Sequence, residues 1–136
     1  KYQSHPEIYL AWLGLGDCAL AQQGRALNAV AIFERLYALP EMPVSAKAEA
    51  AFKCAYALER AGRSREADEM RWVMSQQLLS ERGLTAEAKY WLGRTLYSLA
   101  SSLEKSGAKR DARAAYELIV KNNLPSSAAA KSKLAK

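Results

Sequence analysis

An all-α stack of helix–turn–helix hairpins is the fold the sequence predicts, and three observations predict it. First, glycine-led segments recur: Gly24 with Ala29, Phe33 and Leu36; Gly62 with Ala67, Arg71 and Met74; Gly107 with Ala112, Tyr116 and Ile119. In each, a small alanine stands five residues past the glycine, with larger side chains four and three residues further on. Second, the chain is rich in alanine, leucine and charged residues and poor in proline and β-branched residues, which favours helix over strand. Third, no segment alternates apolar and polar residues as a half-buried strand would. Self-similarity at this spacing is the mark of a repeat architecture in which each hairpin buries its apolar face on the next.

Each element has a start, a stop or both written into it. A helix near 6–22 stops before Gly24, where a left-handed turn can end it. A second, near 26–39, runs from that turn to Pro40. A third, near 45–60, begins where the Ser45 hydroxyl could cap free amides and ends before Gly62. Ser64 and Gly83 bracket a fourth near 64–81, and Thr85 and Gly107 a fifth near 85–106. A sixth spans 109–122 before Pro125, and Ser126 opens a short seventh over 126–135. Pro40, Pro43 and Pro125 fall in connections.

These residues resemble the tetratricopeptide repeat family over essentially the whole chain. That family's hairpin carries leucine–glycine and a tyrosine in its first helix, a turn glycine, then alanine and an aromatic in its second, with a proline near the end. The matches are Gly24-Ala29-Phe33-Pro40, then Ala55-Gly62-Ala67, then Leu92-Gly93 with Gly107-Ala112-Tyr116 and Pro125. Arg71 replaces the aromatic in the middle repeat, and no first helix carries the full tryptophan–leucine–glycine–tyrosine set. The resemblance implies a right-handed α-solenoid of three hairpins (about 6–40, 45–81 and 85–124) closed by a C-terminal capping helix at 126–135. Successive turn glycines stand 38 and 45 residues apart, against 34 in the family. The surplus is expected around Val44–Lys47, around Arg82–Thr85, and as seven extra residues in the helix between Gly93 and Gly107, close to two turns. Ala29, Ala67 and Ala112 are expected to let paired helices approach, with Ala55 or Gly93 doing so from the other side. Leu36, Met74 and Ile119 would then fill the space between hairpins. At 136 residues this is one domain by size. The chain begins at Lys1 without a leader and its N-terminal end lacks a cap, so it is expected to belong to a longer protein with repeats upstream or to self-associate there.

The net charge of +6 is uneven. Residues 1–103 hold 12 basic and 11 acidic side chains, whereas residues 104–136 hold 8 basic and 3 acidic. A basic end can meet an acidic partner, a membrane surface or nucleic acid. The reading preferred is a solvated solenoid end, so nucleic acid is not an expected partner. No apolar run approaches the roughly 18 residues of a membrane-spanning helix. Cys18 and Cys54 read as small packed thiols rather than a disulfide or metal site, and they leave the compartment open.

Catalytic residues, metal ligands and cofactors are not expected. His5, the one histidine, precedes Pro6 near the N-terminus. Asp17 and Asp68-Glu69 have no nucleophile in view, and two cysteines so far apart lack zinc-ligand spacing. Gly14-Leu15-Gly16-Asp17-Cys18-Ala19 matches the loose dinucleotide-loop fingerprint, but no strand precedes or follows it. Close helix packing explains these glycines better.

The expected function is therefore protein–protein interaction, by a scaffold segment binding a peptide or helix in the groove lined by the first helices. The family's hairpin, projected onto this chain, puts Phe52, Tyr56 and Arg60 in that groove. The third repeat can be registered from Gly93 or from Gly107; both choices nominate Arg94 and Tyr97, and the first adds Tyr90. Aromatics with guanidinium groups are enriched at interaction hot spots. They are also ordinary core-edge residues, so part of this set could pack into neighbouring helices. Some family members clamp a C-terminal carboxylate with asparagines and lysines, but no asparagine falls on a first helix here. Trp12, Trp72 and Trp91 are expected to pack between helices. The alternative function is a structural spacer that stacks on other repeats or subunits with no groove ligand.

Overall fold

A computed structural model describes residues 6–136, so His5 lies outside the described residues. The described chain is α1 (Pro6–Ala21), α2 (Ala26–Ala38), α3 (Val44–Arg60), α4 (Ser64–Leu79), α5 (Ala86–Lys105), α6 (Lys109–Lys121) and α7 (Ser127–Leu134), with no strand among them. α1–α2, α3–α4 and α5–α6 pair as hairpins; α3 also packs on α2 and α5, and α7 lies against α6.

The turn glycines act as the sequence expects, and the hydrogen bonds show why. Gly62 has φ +82°, a conformation open to glycine because it lacks a Cβ. Its N–H donates to Glu59 O at 3.0 Å, and the Arg63 N–H donates to Leu58 O at 2.9 Å. Gly107 repeats the arrangement with Glu104 and Leu103. These paired bonds satisfy carbonyls that a helix end leaves orphaned. The same motif closes α6 around Asn123 (φ 52°), where asparagine replaces glycine.

Serine caps fare differently. Thr85 caps α5, its Oγ1 accepting from the Ala88 N–H at 3.1 Å. Ser64 is instead the first residue of α4, because the Gly62 turn feeds the chain directly into the helix after Arg63. Ser45 sits one residue inside α3, behind Pro43, and Ser126 holds the cap position with φ 82° but no capping bond.

Small residues set how closely the helices approach. Ala29, Ala67 and Ala112 are buried in α2, α4 and α6. Ala55 and Ala100 are buried too, each seven residues before a turn glycine. That equivalence registers the third hairpin from Gly107, which leaves Gly93 a separate task. A Cβ on Gly93 would stand 2.5 Å from the Pro125 backbone oxygen, so glycine there admits the α6–α7 connection. α5 has 20 residues and α3 has 17, so the expected two-turn extension is in fact just under one turn. The rest of the surplus lies in α4, which has 16 residues against 13 in α2, and in the 80–85 connection, one residue longer than 39–43.

The core runs as two clusters. Phe33, Leu36, Cys54 and Ala55 centre the first, between α1, α2 and α3. Leu92, Leu96, Leu99, Tyr116 and Ile119 centre the second, between α5 and α6, with Met74 and Leu78 entering from α4. Tyr37 and Met70 touch both clusters, joining them into one body.

Candidate functional site

The first helices meet through charged and aromatic side chains. The Lys53 ammonium on α3 lies 2.9 Å from Asp17 on α1 and 2.7 Å from Glu49 one turn back. It also stands 5.6 Å from the centre of the Trp91 ring on α5. Burial opposes the Lys53 charge, but the hydrogen bonds it donates to Glu49 and Asp17, with their negative charges, outweigh it and raise the pKa. One strip of side chains therefore crosses α1, α3 and α5.

On this strip Arg94 is the centre of an aromatic cluster. Its guanidinium carbon stands 4.4 Å from the Phe52 ring centre, 5.3 Å from Trp91 and 5.6 Å from Tyr90. One Arg94 amine donates to the Tyr90 hydroxyl at 3.3 Å. Phe52 and Trp91 rings are 5.5 Å apart, and Tyr90 meets Trp91 edge-on at 5.1 Å. Such stacking fixes a flexible arginine while leaving its donors toward solvent.

Six residues were nominated from the sequence, and the fold treats them in three ways. Phe52, Tyr90 and Arg94 come together across α3 and α5. Tyr56 and Arg60 form their own pair one turn and two turns along α3, with the guanidinium 5.9 Å from the ring centre. Tyr97 turns away to meet Tyr116 on α6 edge-on at 5.5 Å and is half-buried there. Tyr97 is half-buried against the second core and also lines the groove beyond the cluster.

Trp91 was missed. It belongs to the cluster through Phe52, Tyr90, Lys53 and Arg94, and its position beside Tyr90 on α5 was the available signal. The other two tryptophans are not packed inside: Trp12 and Trp72 are 38% and 39% exposed. Trp72 borders a cleft of about 480 Å³ over Leu99 and Leu103, and Trp12 one of about 280 Å³ with Ile8 and Leu39. Between the C-terminal end of α3 and α5, beyond the cluster, lies a groove of about 550 Å³ lined by Glu59 of α3, Ser64 of α4 and Tyr97, Ser98, Ser101, Ser102 and Lys105 of α5.

Polar groups that could suggest chemistry have structural partners. Asp68 accepts from Arg71 at 3.0 Å and from the Ser102 hydroxyl at 2.6 Å. Burial pushes the Cys54 thiol up to about 12, with Glu34 adding to the shift, so it stays protonated and unreactive. Gly16 lies within α1 and not on a loop; a Cβ there would meet the Phe33 ring at 2.5 Å, whereas one on Gly14 would meet nothing. Among the described residues no three histidine, cysteine or acidic side chains are grouped to hold a metal. No described helix is long and apolar enough to cross a membrane.

Residues 1–43, the first hairpin and the connection after it, match a family model described as tetratricopeptide repeat. No curated protein and no solved structure matches the chain. Together with the all-α stack of hairpins, the family match supports a tetratricopeptide repeat protein, of a family whose members are generally non-catalytic modules that bind other proteins.

Proposed function

We propose that this chain binds a peptide segment or helix of another protein along the groove between α3 and α5, with Phe52, Tyr90, Trp91 and Arg94 as its anchor. The observation that carries this reading is Arg94 held 4.4 Å over Phe52 beside a Tyr90 that is 45% exposed. A rigid aromatic–guanidinium platform open to solvent loses little side-chain entropy on binding. Panning a phage-displayed peptide library on the protein would supply ligands. Their affinities are then measured by fluorescence anisotropy on Tyr90→Ala/Arg94→Glu. A drop of roughly tenfold or more is expected, with circular dichroism unchanged. Undiminished binding by the double variant would place the ligand site elsewhere.

A second reading, a stacking module, has its own observation. α1 leaves Leu10 and Leu15 68% and 56% exposed, on opposite flanks of its buried face. Apolar side chains so exposed favour contact with another helical hairpin, here a second copy of the chain. Sedimentation velocity should then depend on concentration in the native chain and lose that dependence in Leu10→Glu/Leu15→Glu.

A further inference from the structure

The charges along α3 and α5 are unequally committed. Of the carboxylates on these helices, Glu49 is bound to Lys53, Glu59 to Arg71, and Glu104 to the Tyr116 hydroxyl. Asp17, facing them from α1, is also held by Lys53. Glu87 sits in the first turn of α5, where the helix dipole favours a negative charge. Among the described residues, Lys47 and Arg60 of α3 and Lys89, Arg94 and Lys105 of α5 meet no carboxylate. Arg60 and Arg94 rest on aromatic rings, and Lys105 lines the groove wall.

These cations have a geometry. Arg94 and Lys105 are eleven residues apart on α5, about three turns, so they share one face roughly 16 Å apart along the axis. Between them on that face stand Ser98 and Ser101, half-buried hydroxyls with no hydrogen-bond partner among the described residues. An extended polypeptide advances about 3.3 Å per residue, so about five residues span that distance.

We infer that the groove between α3 and α5 takes an acidic, extended peptide whose carboxylates, about five residues apart, meet Arg94 and Lys105 while its backbone lies over Ser98 and Ser101. This rests on the peptide-binding reading above and adds the chemistry of the partner. A helix is a poorer fit, because the hydroxyl floor offers hydrogen bonds that only an open backbone can use.

The test uses rhodamine-labelled peptides of about twelve residues, containing one phenylalanine and two glutamates about five residues apart. Matched peptides carry glutamine or lysine at both positions, and a single-stranded oligodeoxynucleotide of similar length is the fourth probe. The glutamate peptide should bind about five-fold or more tighter than the glutamine peptide, with affinity falling as salt rises. Lys105→Glu should weaken it about two- to five-fold, with circular dichroism unchanged because Lys105 is exposed. Arg94→Glu/Lys105→Glu should transfer the preference to the lysine peptide. If glutamine or lysine peptides bind the native chain equally well and lose binding on Tyr90→Ala, the acidic preference is wrong while the groove reading stands. Absence of binding by every peptide overturns both. Equal binding of the oligonucleotide, lost in the charge-reversed variant, would mean the cations serve nucleic acid instead.

Discussion

Arg71 on α4 reaches back twelve residues to Glu59 at the end of α3, 3.3 Å away, and Tyr116 on α6 reaches back twelve to Glu104 at 2.8 Å. The arginine that breaks the aromatic pattern thus makes the same cross-hairpin contact as the tyrosine that keeps it. It is only 3% exposed and also holds Asp68, which ties in Ser102 of α5. Removing the buried arginine is costly because it empties a filled site and leaves the half-buried Asp68 without its cation.

Arg71→Ala should therefore destabilise the chain by about 3 kcal/mol in urea unfolding. Arg71→Tyr should recover about 1 kcal/mol or more of that loss, since a phenol can fill the site and donate to Glu59 as Tyr116 does to Glu104. If the tyrosine variant is no better than alanine, the two sites are not equivalent.

Two glycines of first helices should respond oppositely to alanine. Gly93→Ala puts a Cβ 2.5 Å from the Pro125 carbonyl and should cost about 1–3 kcal/mol. Gly14→Ala meets nothing within 4 Å inside α1 and should stabilise by about 0.5–1 kcal/mol. Thermal denaturation of the two variants side by side decides the matter; equal shifts would refute the close approach at Gly93.

Ser75 is fully buried in α4 and its hydroxyl has no hydrogen-bond partner. Replacing it with alanine removes an unpaired polar group at the cost of one small atom. Ser75→Ala is expected to be neutral or stabilising by about 1 kcal/mol, and a measured loss above that size would mean the hydroxyl is engaged.

Alkaline stability should depend in part on the buried Cys54 and the half-buried Tyr37. Burial and Glu34 push the Cys54 thiol from 9.0 up to about 12, and burial and Glu81 push the Tyr37 phenol from 10.0 to about 12. Above the unfolded values the unfolded chain loses these protons while the native chain keeps them, so stability falls as pH rises toward 12. Urea midpoints measured from pH 8 to 11 should fall less steeply in Cys54→Ala from about pH 9, and in Tyr37→Phe from about pH 10. Slopes matching the native chain would assign the alkaline loss to other groups.

The turn glycines, the buried alanines and Thr85 are legible in the sequence because each acts on its own local backbone or neighbouring turn. Ser64 shows where local reading slips, since a cap depends on how the preceding turn delivers the chain. The candidate site was half legible. Phe52, Tyr90 and Arg94 could be named by projecting the family's hairpin onto the chain, but which aromatic turns outward is settled by the packing of three helices at once. Trp91 packs between helices as expected yet also joins the cluster, and Tyr97 meets both the second core and the groove.

The sequence by itself determined the hairpins, because helix periodicity and left-handed turn residues are local and nearly independent of the rest of the chain. Only the tertiary structure decided that α5 is longer by less than one turn, that Gly93 admits Pro125, and that Arg94 lies among the rings of Phe52, Tyr90 and Trp91. Those relations join residues tens of positions apart, and close packing fixes them through shape and distance rather than through any pattern along the chain.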